Sequence, residues 1–95
     1  MPNCRKLFDR AKASPANLRF AEACQLAECF GWQFARQRGD HVVYKRAGSL
    51  QLMNFQNVKG KAKAYQVRQL ITAVEELGLE IADEDAERKE DESDA

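Results

Sequence analysis

The sequence has no apolar run approaching the roughly 20 residues that a membrane-spanning helix requires. Its first residues also lack the basic segment followed by an apolar segment that marks a secretory signal peptide. No internal repeat is present, and 95 residues are enough for one modest core. We therefore expect a soluble, cytoplasmic, single-domain protein that does not bind a membrane.

Cysteine and histidine are scarce. The cysteines Cys4, Cys24 and Cys29 are odd in number, and the only histidine, His41, is not spaced from them as a zinc site requires. This pattern predicts no metal site and no cofactor. Because free cysteine behaves as a small hydrophobic residue in a reducing compartment, we expect buried free thiols.

The net charge is zero, yet the charges are divided along the chain. Residues 1–79 contain 13 Lys and Arg against 6 Asp and Glu, a net charge of +7. Residues 80–95 contain 2 against 9, a net charge of −7. We expect one compact domain over residues 1–79 that binds a polyanion, and an acidic, disordered tail over residues 80–95.

Periodicity predicts an α+β fold. Apolar residues recur at helical spacing in three segments. Two other segments carry aromatic and β-branched residues on either side of a Gly-Asp turn, and a third has apolar Leu50 and Leu52 on one side. The predicted helices cover residues 5–13, 20–30 and 67–77, and the predicted strands cover residues 32–37, 41–46 and 50–55. Gly31 and Gly78 end the second and third helices. This order predicts a small three-stranded antiparallel sheet with helices on one face.

The run RQRGDHVVYKR, in the middle of the chain, has the pattern of a tight hairpin. Gly39 supplies the positive φ that the first central position of a type II′ turn requires. With a two-residue turn, Arg38 pairs with His41 and Arg36 with Val43. Because side chains alternate between the two faces of a sheet, His41 then shares one face with three basic residues. These are Arg36, Arg38 and Lys45.

Histidine is the side chain whose unperturbed pKa is nearest neutrality, so His41 is a candidate for acid–base chemistry. RNA cleavage needs such a group, because a base must remove the proton of a ribose 2′-hydroxyl before its oxygen attacks the adjacent phosphate. Positive side chains then stabilise the charge that builds up on the phosphate. The same setting also fits phosphate binding without catalysis, and composition does not choose between them.

Residues 56–64 form a second basic segment. Lys59, Lys61 and Lys63 alternate in a polar loop that precedes a helix, whose first N–H groups favour an anion. We expect them to bind the RNA backbone without reading its sequence. Of the aromatic residues in the predicted strands, we expect at most one to stack on an unpaired base. These aromatic residues are Trp32, Phe34, Tyr44 and Phe55.

The runs GWQFARQRGDHVVYKR and GKAKAYQVRQLITAVEELGL together resemble the HicA family of bacterial toxins, small mRNA interferases of type II toxin–antitoxin systems. The resemblance covers residues 20–79. It implies a fold like the double-stranded-RNA-binding domain, and cleavage of mRNA without a metal until a HicB-like antitoxin covers the site. It also implies that His41 is the catalytic residue and Gly39 the turn glycine that presents it. Asp40 and Val42 stand where many members have serine and a second histidine.

Two functions therefore follow from the sequence. The first is a metal-independent endoribonuclease toxin with mRNA as substrate and a HicB-like antitoxin as partner. The alternative is a binding module of the same fold that grips RNA or a protein without cleaving it. In a further variant, the acidic tail folds back over the basic surface as an inhibitor. The sequence indicates no oligomeric state.

Overall fold

The structure, a computed structural model, describes residues 3–81 and contains three α-helices and one antiparallel sheet in this range. The elements are α1 (Cys4–Ala13), α2 (Phe20–Cys29), β1 (Gln33–Arg38), β2 (His41–Lys45), β3 (Met53–Val58), β4 (Lys61–Ala62) and α3 (Ala64–Leu77). A single 3-10 turn at Pro15–Asn17 lies between the first two helices. The α+β class predicted from the sequence is confirmed.

The sheet has four strands in the order β1-β2-β3-β4, so the prediction of three strands is wrong. The segment predicted as a basic loop contains the end of β3, a tight turn and the two-residue β4. The predicted third strand, residues 50–55, also begins before the observed strand β3, because Leu50 and Leu52 have the spacing of one strand face. Leu50 is fully exposed, and Met53 and Phe55 are the residues of β3 that enter the core.

A β-bulge between Phe34 and Arg36 interrupts the pairing of β1 with β2. Phe34 pairs with Tyr44, whereas Arg36 pairs with Val43, so Phe34 and Arg36 lie on opposite faces although they are two residues apart. The bulge explains why the apolar alternation of this segment is imperfect. Beyond it the predicted register is present, with Arg38 opposite His41.

One face of the two central strands is buried and the other is open. Val42, Tyr44, Met53 and Phe55 are buried in the core, and α2 and α3 both contact β3. The alternate residues of β2 and β3 are exposed or only partly buried. All six residues of the edge strand β1 are exposed. The open face is therefore available to a ligand.

The first two helices begin at side chains that bind free backbone N–H groups, and the third ends at a glycine. The Oδ1 atom of Asn3 accepts from the N–H of Lys6 at the start of α1. Gly78 takes the left-handed conformation at the end of α3, as predicted. Glu22 accepts from the N–H of Arg19 at the start of α2 and from the guanidinium of Arg10 on α1 at 2.9 Å. These bonds, chiefly that from Arg10, lower the pKa of Glu22.

A disulfide joins Cys4 at the start of α1 to Cys29 at the end of α2. The expectation of buried free thiols is therefore wrong for these two residues, whereas Cys24 is free and partly buried. The two helices run in opposite directions, which brings residues 25 positions apart to a Cα–Cα distance of 5.9 Å. Sequence spacing does not reveal that contact. Burial raises the pKa of the Cys24 thiol.

The packed domain continues past the last helix, since Ile81 is buried in the core. The acidic segment predicted to be disordered starts at residue 80, and its residues 82–95 lie outside the described range. No helix within residues 3–81 has the length and apolar character to cross a bilayer.

Candidate active site at the first hairpin

The turn between β1 and β2 presents His41 at one end of the sheet. Gly39 has a φ of 60°, whereas Asp40 does not have a positive φ, which matches the requirement of a type II′ turn. The side-chain amide of Gln37 donates to the carbonyl of Gly39 at 3.0 Å. The imidazole, the first side chain after this turn, is 51% exposed.

Asp40 contacts the imidazole from the adjacent position. Its Oδ1 atom lies 2.9 Å from Nδ1 of His41, and its Oδ2 atom accepts from the side-chain amide of Gln56 at 3.4 Å. The backbone carbonyl of Asp40 accepts from the N–H of Asn57 at 2.8 Å, which ties the turn to β3. The Gln56 amide and, secondarily, His41 lower the pKa of Asp40. A carboxylate at Nδ1 favours the tautomer that carries its proton there and leaves Nε2 able to accept one.

The predicted basic residues of the open face lie at different distances from His41. Arg38 is its direct cross-strand neighbour. Arg36 pairs with Val43, two residues further along β2, which corresponds to roughly 7 Å. Lys45 is four residues along the same strand, roughly 14 Å away. Arg38 and Arg36 are therefore nearer to His41 along the sheet than Lys45 is.

The open face carries positive and neutral side chains. Its paired positions on β1, β2 and β3 contain no carboxylate, and Asp40 in the turn is the acidic residue nearest to them along the chain. The side chains at these positions are Gln33, Arg36, Arg38, His41, Val43, Lys45, Asn54, Gln56 and Val58. Such a surface suits a polyanion.

The second basic segment lies at the same end of the sheet as His41. Lys59 and Gly60 form the turn between β3 and β4, with φ values of 54° and 87°. Because β2 and β3 are antiparallel, the turn after β3 and the turn before β2 share one end of the sheet. Lys61 is in β4, and Lys63 precedes α3. The fold thus brings these lysines to the end of the sheet that carries His41, although they are about 20 residues from it in sequence.

A buried glutamine connects that end of the sheet to α3. Gln66 is 4% exposed, and its Oε1 atom accepts from the backbone N–H of Gln56 at 2.7 Å. Its Nε2 atom lies 3.3 Å from the hydroxyl of Tyr65. Gln56 in turn pairs with His41. None of Gln56, Tyr65 and Gln66 is among the residues predicted from the sequence. Tyr65 could have been noticed because it lies outside the apolar stripe of α3.

Three of the four aromatic residues considered for base stacking are buried, namely Trp32, Tyr44 and Phe55. Phe34 is 54% exposed and contacts the ring of Tyr44 edge to face. It lies on the face opposite His41, because of the bulge in β1. Phe34 therefore does not belong to the hairpin site.

No group of three or more His, Cys, Asp or Glu side chains in the described range 3–81 is arranged to hold a metal ion. Comparisons of the chain with protein-family models, with curated proteins and with solved structures give no match.

Proposed function

We propose that this protein is a metal-independent endoribonuclease in which His41 is the general base. One observation carries the proposal: an exposed imidazole is held at Nδ1 by a carboxylate, at the end of a sheet face that bears Arg36 and Arg38. A histidine without such neighbours would not indicate RNA cleavage. Here the imidazole shares its sheet face with two arginines, which supports a role in phosphate chemistry.

The reaction would follow from these positions. Nε2 of His41 takes the proton of a ribose 2′-hydroxyl, and the 2′-oxygen forms a bond to the adjacent phosphorus. The bond from phosphorus to the 5′-oxygen of the next nucleotide breaks, and that oxygen takes a proton from the imidazolium or from water. Arg38 and Arg36 stabilise the extra negative charge on the phosphorane. The products are a 2′,3′-cyclic phosphate and a 5′-hydroxyl, and no electron transfer is involved.

The test is cleavage of a labelled single-stranded RNA by the purified chain and by His41→Ala. General acid–base groups contribute about 10²–10⁴-fold in rate, so the variant should lose that much activity and retain most of its RNA affinity. Lys6→Ala, at an exposed position of α1, is the matched control and should cleave like the parent. Cleavage by His41→Ala at the parental rate would show that His41 is not the catalytic residue.

We further propose that the biological role is that of a toxin in a type II toxin–antitoxin system, as the resemblance to the HicA family implies. Its substrate would be mRNA in the cytoplasm, and its partner a HicB-like antitoxin that covers the hairpin. Induction of the chain alone should arrest growth, and co-expression of a HicB-like protein from a neighbouring reading frame should restore it. Growth unaffected by the active protein would argue against this role.

A binding module that does not cleave RNA is the second candidate. The carboxylate of Asp40, which contacts the imidazole, favours it because this negative charge opposes a phosphate at the same place. In that case His41→Ala would change little. Loss of one of the lysines at positions 59, 61 and 63 would weaken binding and reduce the salt slope by about 0.7 per contact with a single strand.

A further inference from the structure

We propose that Tyr65, with Lys63, forms a subsite for an unpaired base of single-stranded RNA beside the phosphate that is cleaved with His41 as general base. The inference rests on the proposed function in taking RNA as the ligand. It adds a residue in α3 that the hairpin motif does not contain. It also predicts that the substrate is single-stranded at this position, because a base inside a duplex could not stack on a protein ring.

Tyr65 presents an aromatic ring to solvent at the start of α3. The residue is 53% exposed, although aromatic side chains in a protein this small are mostly needed in the core. The ring has a defined position, because its hydroxyl lies 3.3 Å from Nε2 of Gln66. Nζ of Lys63 lies 6.0 Å from the ring centroid. An ordered ring with an adjacent cation can bind a base and its phosphate together.

Gln66 holds this ring in a defined relation to the hairpin. The glutamine is buried, and its two side-chain atoms contact different elements: Oε1 binds the backbone of Gln56 and Nε2 contacts Tyr65. Gln56 pairs with His41 and donates to Asp40. Tyr65 is thus connected to the imidazole by a short series of direct contacts. A nucleotide chain bound at His41 would reach the ring within a small number of nucleotides.

The charges around Tyr65 favour a nucleic acid over an apolar protein surface. Lys61, Lys63 and Arg68 are exposed near it along the chain, and none of the residues from 59 to 68 is acidic. An apolar partner would require neighbouring hydrophobic side chains, and of the residues adjacent to Tyr65 in sequence, Ala64 is small and Gln66 is polar. Stacking on tyrosine tolerates any base, so we expect little sequence preference at this subsite.

The test measures affinity for a short fluorescent single-stranded RNA, with every protein carrying His41→Ala so that the RNA stays intact. Tyr65→Leu should weaken binding by roughly 5- to 150-fold, the range that stacking of one base on an aromatic ring provides. Tyr65→Phe keeps the ring and should bind nearly as well as the protein that carries His41→Ala alone, which is the parent in this experiment. Phe34→Leu is the matched control, since Phe34 is equally exposed but lies on the other face of the sheet.

Two further measurements identify the cause of the effect. Tyr65→Leu should leave the salt slope unchanged, whereas Lys63→Ala should reduce it by about 0.7. With an RNA that lacks the base at the contacted position, the difference between the parent and Tyr65→Leu should disappear. The subsite is refuted by parental affinity in Tyr65→Leu, by a loss that persists on every abasic RNA, or by absence of RNA binding in the parent.

The result can be separated from the proposed function. If the parent cleaves RNA through His41 but Tyr65→Leu binds normally, the nuclease stands and the subsite is lost. If Tyr65→Leu binds weakly but no protein cleaves RNA, the subsite stands and the nuclease is lost.

Discussion

Nδ1 of His41 lies 2.9 Å from Oδ1 of Asp40, the residue that immediately precedes it in the chain. Neighbouring residues of a strand normally point to opposite faces of the sheet, so this contact depends on Asp40 belonging to the turn rather than to β2. The second carboxylate oxygen and the backbone carbonyl of Asp40 are bound by residues of β3. The carboxylate therefore has a defined position from which to orient the imidazole.

Asp40→Asn should reduce RNA cleavage, but by less than His41→Ala does, because the imidazole remains and loses only the carboxylate at Nδ1. RNA affinity should stay the same or rise, since the substitution removes a negative charge. Because the pKa of Asp40 is lowered from its ordinary value of 3.8, the carboxylate is ionised at neutral pH, and the ratio of parental to variant rate should be constant from neutral to alkaline pH. Single-turnover rates measure this. Asp9→Asn on α1 is the control, and equal rates in the parent and Asp40→Asn would exclude a positioning role.

Lys59→Asn should make the protein more stable and a weaker RNA binder. A lysine with a φ of 54° is in the left-handed region, which costs an ordinary L-residue roughly 1–2 kcal/mol and asparagine less. The substitution also creates Asn-Gly, the preferred pair for a turn with two positive φ values. We expect the free energy of unfolding to rise by up to about 1 kcal/mol and the salt slope of RNA binding to fall by about 0.7. Lys61→Asn, at an ordinary φ, should lower the slope without the gain in stability.

Gln66→Leu should destabilise the fold by about 1–3 kcal/mol, because it leaves the N–H of Gln56 without its acceptor at the end of the sheet. The measurement is the urea midpoint of unfolding, compared at constant m-value. Gln69→Leu makes the same chemical change at an exposed position of α3 and should shift stability by less than about 0.5 kcal/mol. Equal midpoints for the two variants would contradict the role given to Gln66.

Reduction of the disulfide between Cys4 and Cys29 should lower the free energy of unfolding by about 3 kcal/mol, the loss expected when a link across 25 residues no longer restricts the unfolded chain. Urea unfolding with and without a reductant measures this difference. The double variant Cys4→Ala, Cys29→Ala should be insensitive to the reductant. In a reducing cytoplasm the protein would be in its reduced form, which is the less stable one. Identical curves for the oxidised and reduced parent would contradict this prediction.

The sequence by itself determined the local features of this protein. The apolar stripes of α2 and α3, the left-handed glycine that ends α3 and the pairing of Arg38 with His41 depend on residues close together in the chain. In each case, backbone preference and side-chain period specify the geometry directly.

Only the tertiary structure decided which distant residues meet. The antiparallel sheet brings the Lys59 turn to the end that carries His41, Gln66 joins α3 to β3, and the opposed directions of α1 and α2 place Cys4 against Cys29. Periodicity also misplaced β3, because Leu50 and Leu52 match a strand face but find no core to enter, whereas Met53 and Phe55 do. Such contacts arise from packing between elements, and the spacing of residues within one element does not record them.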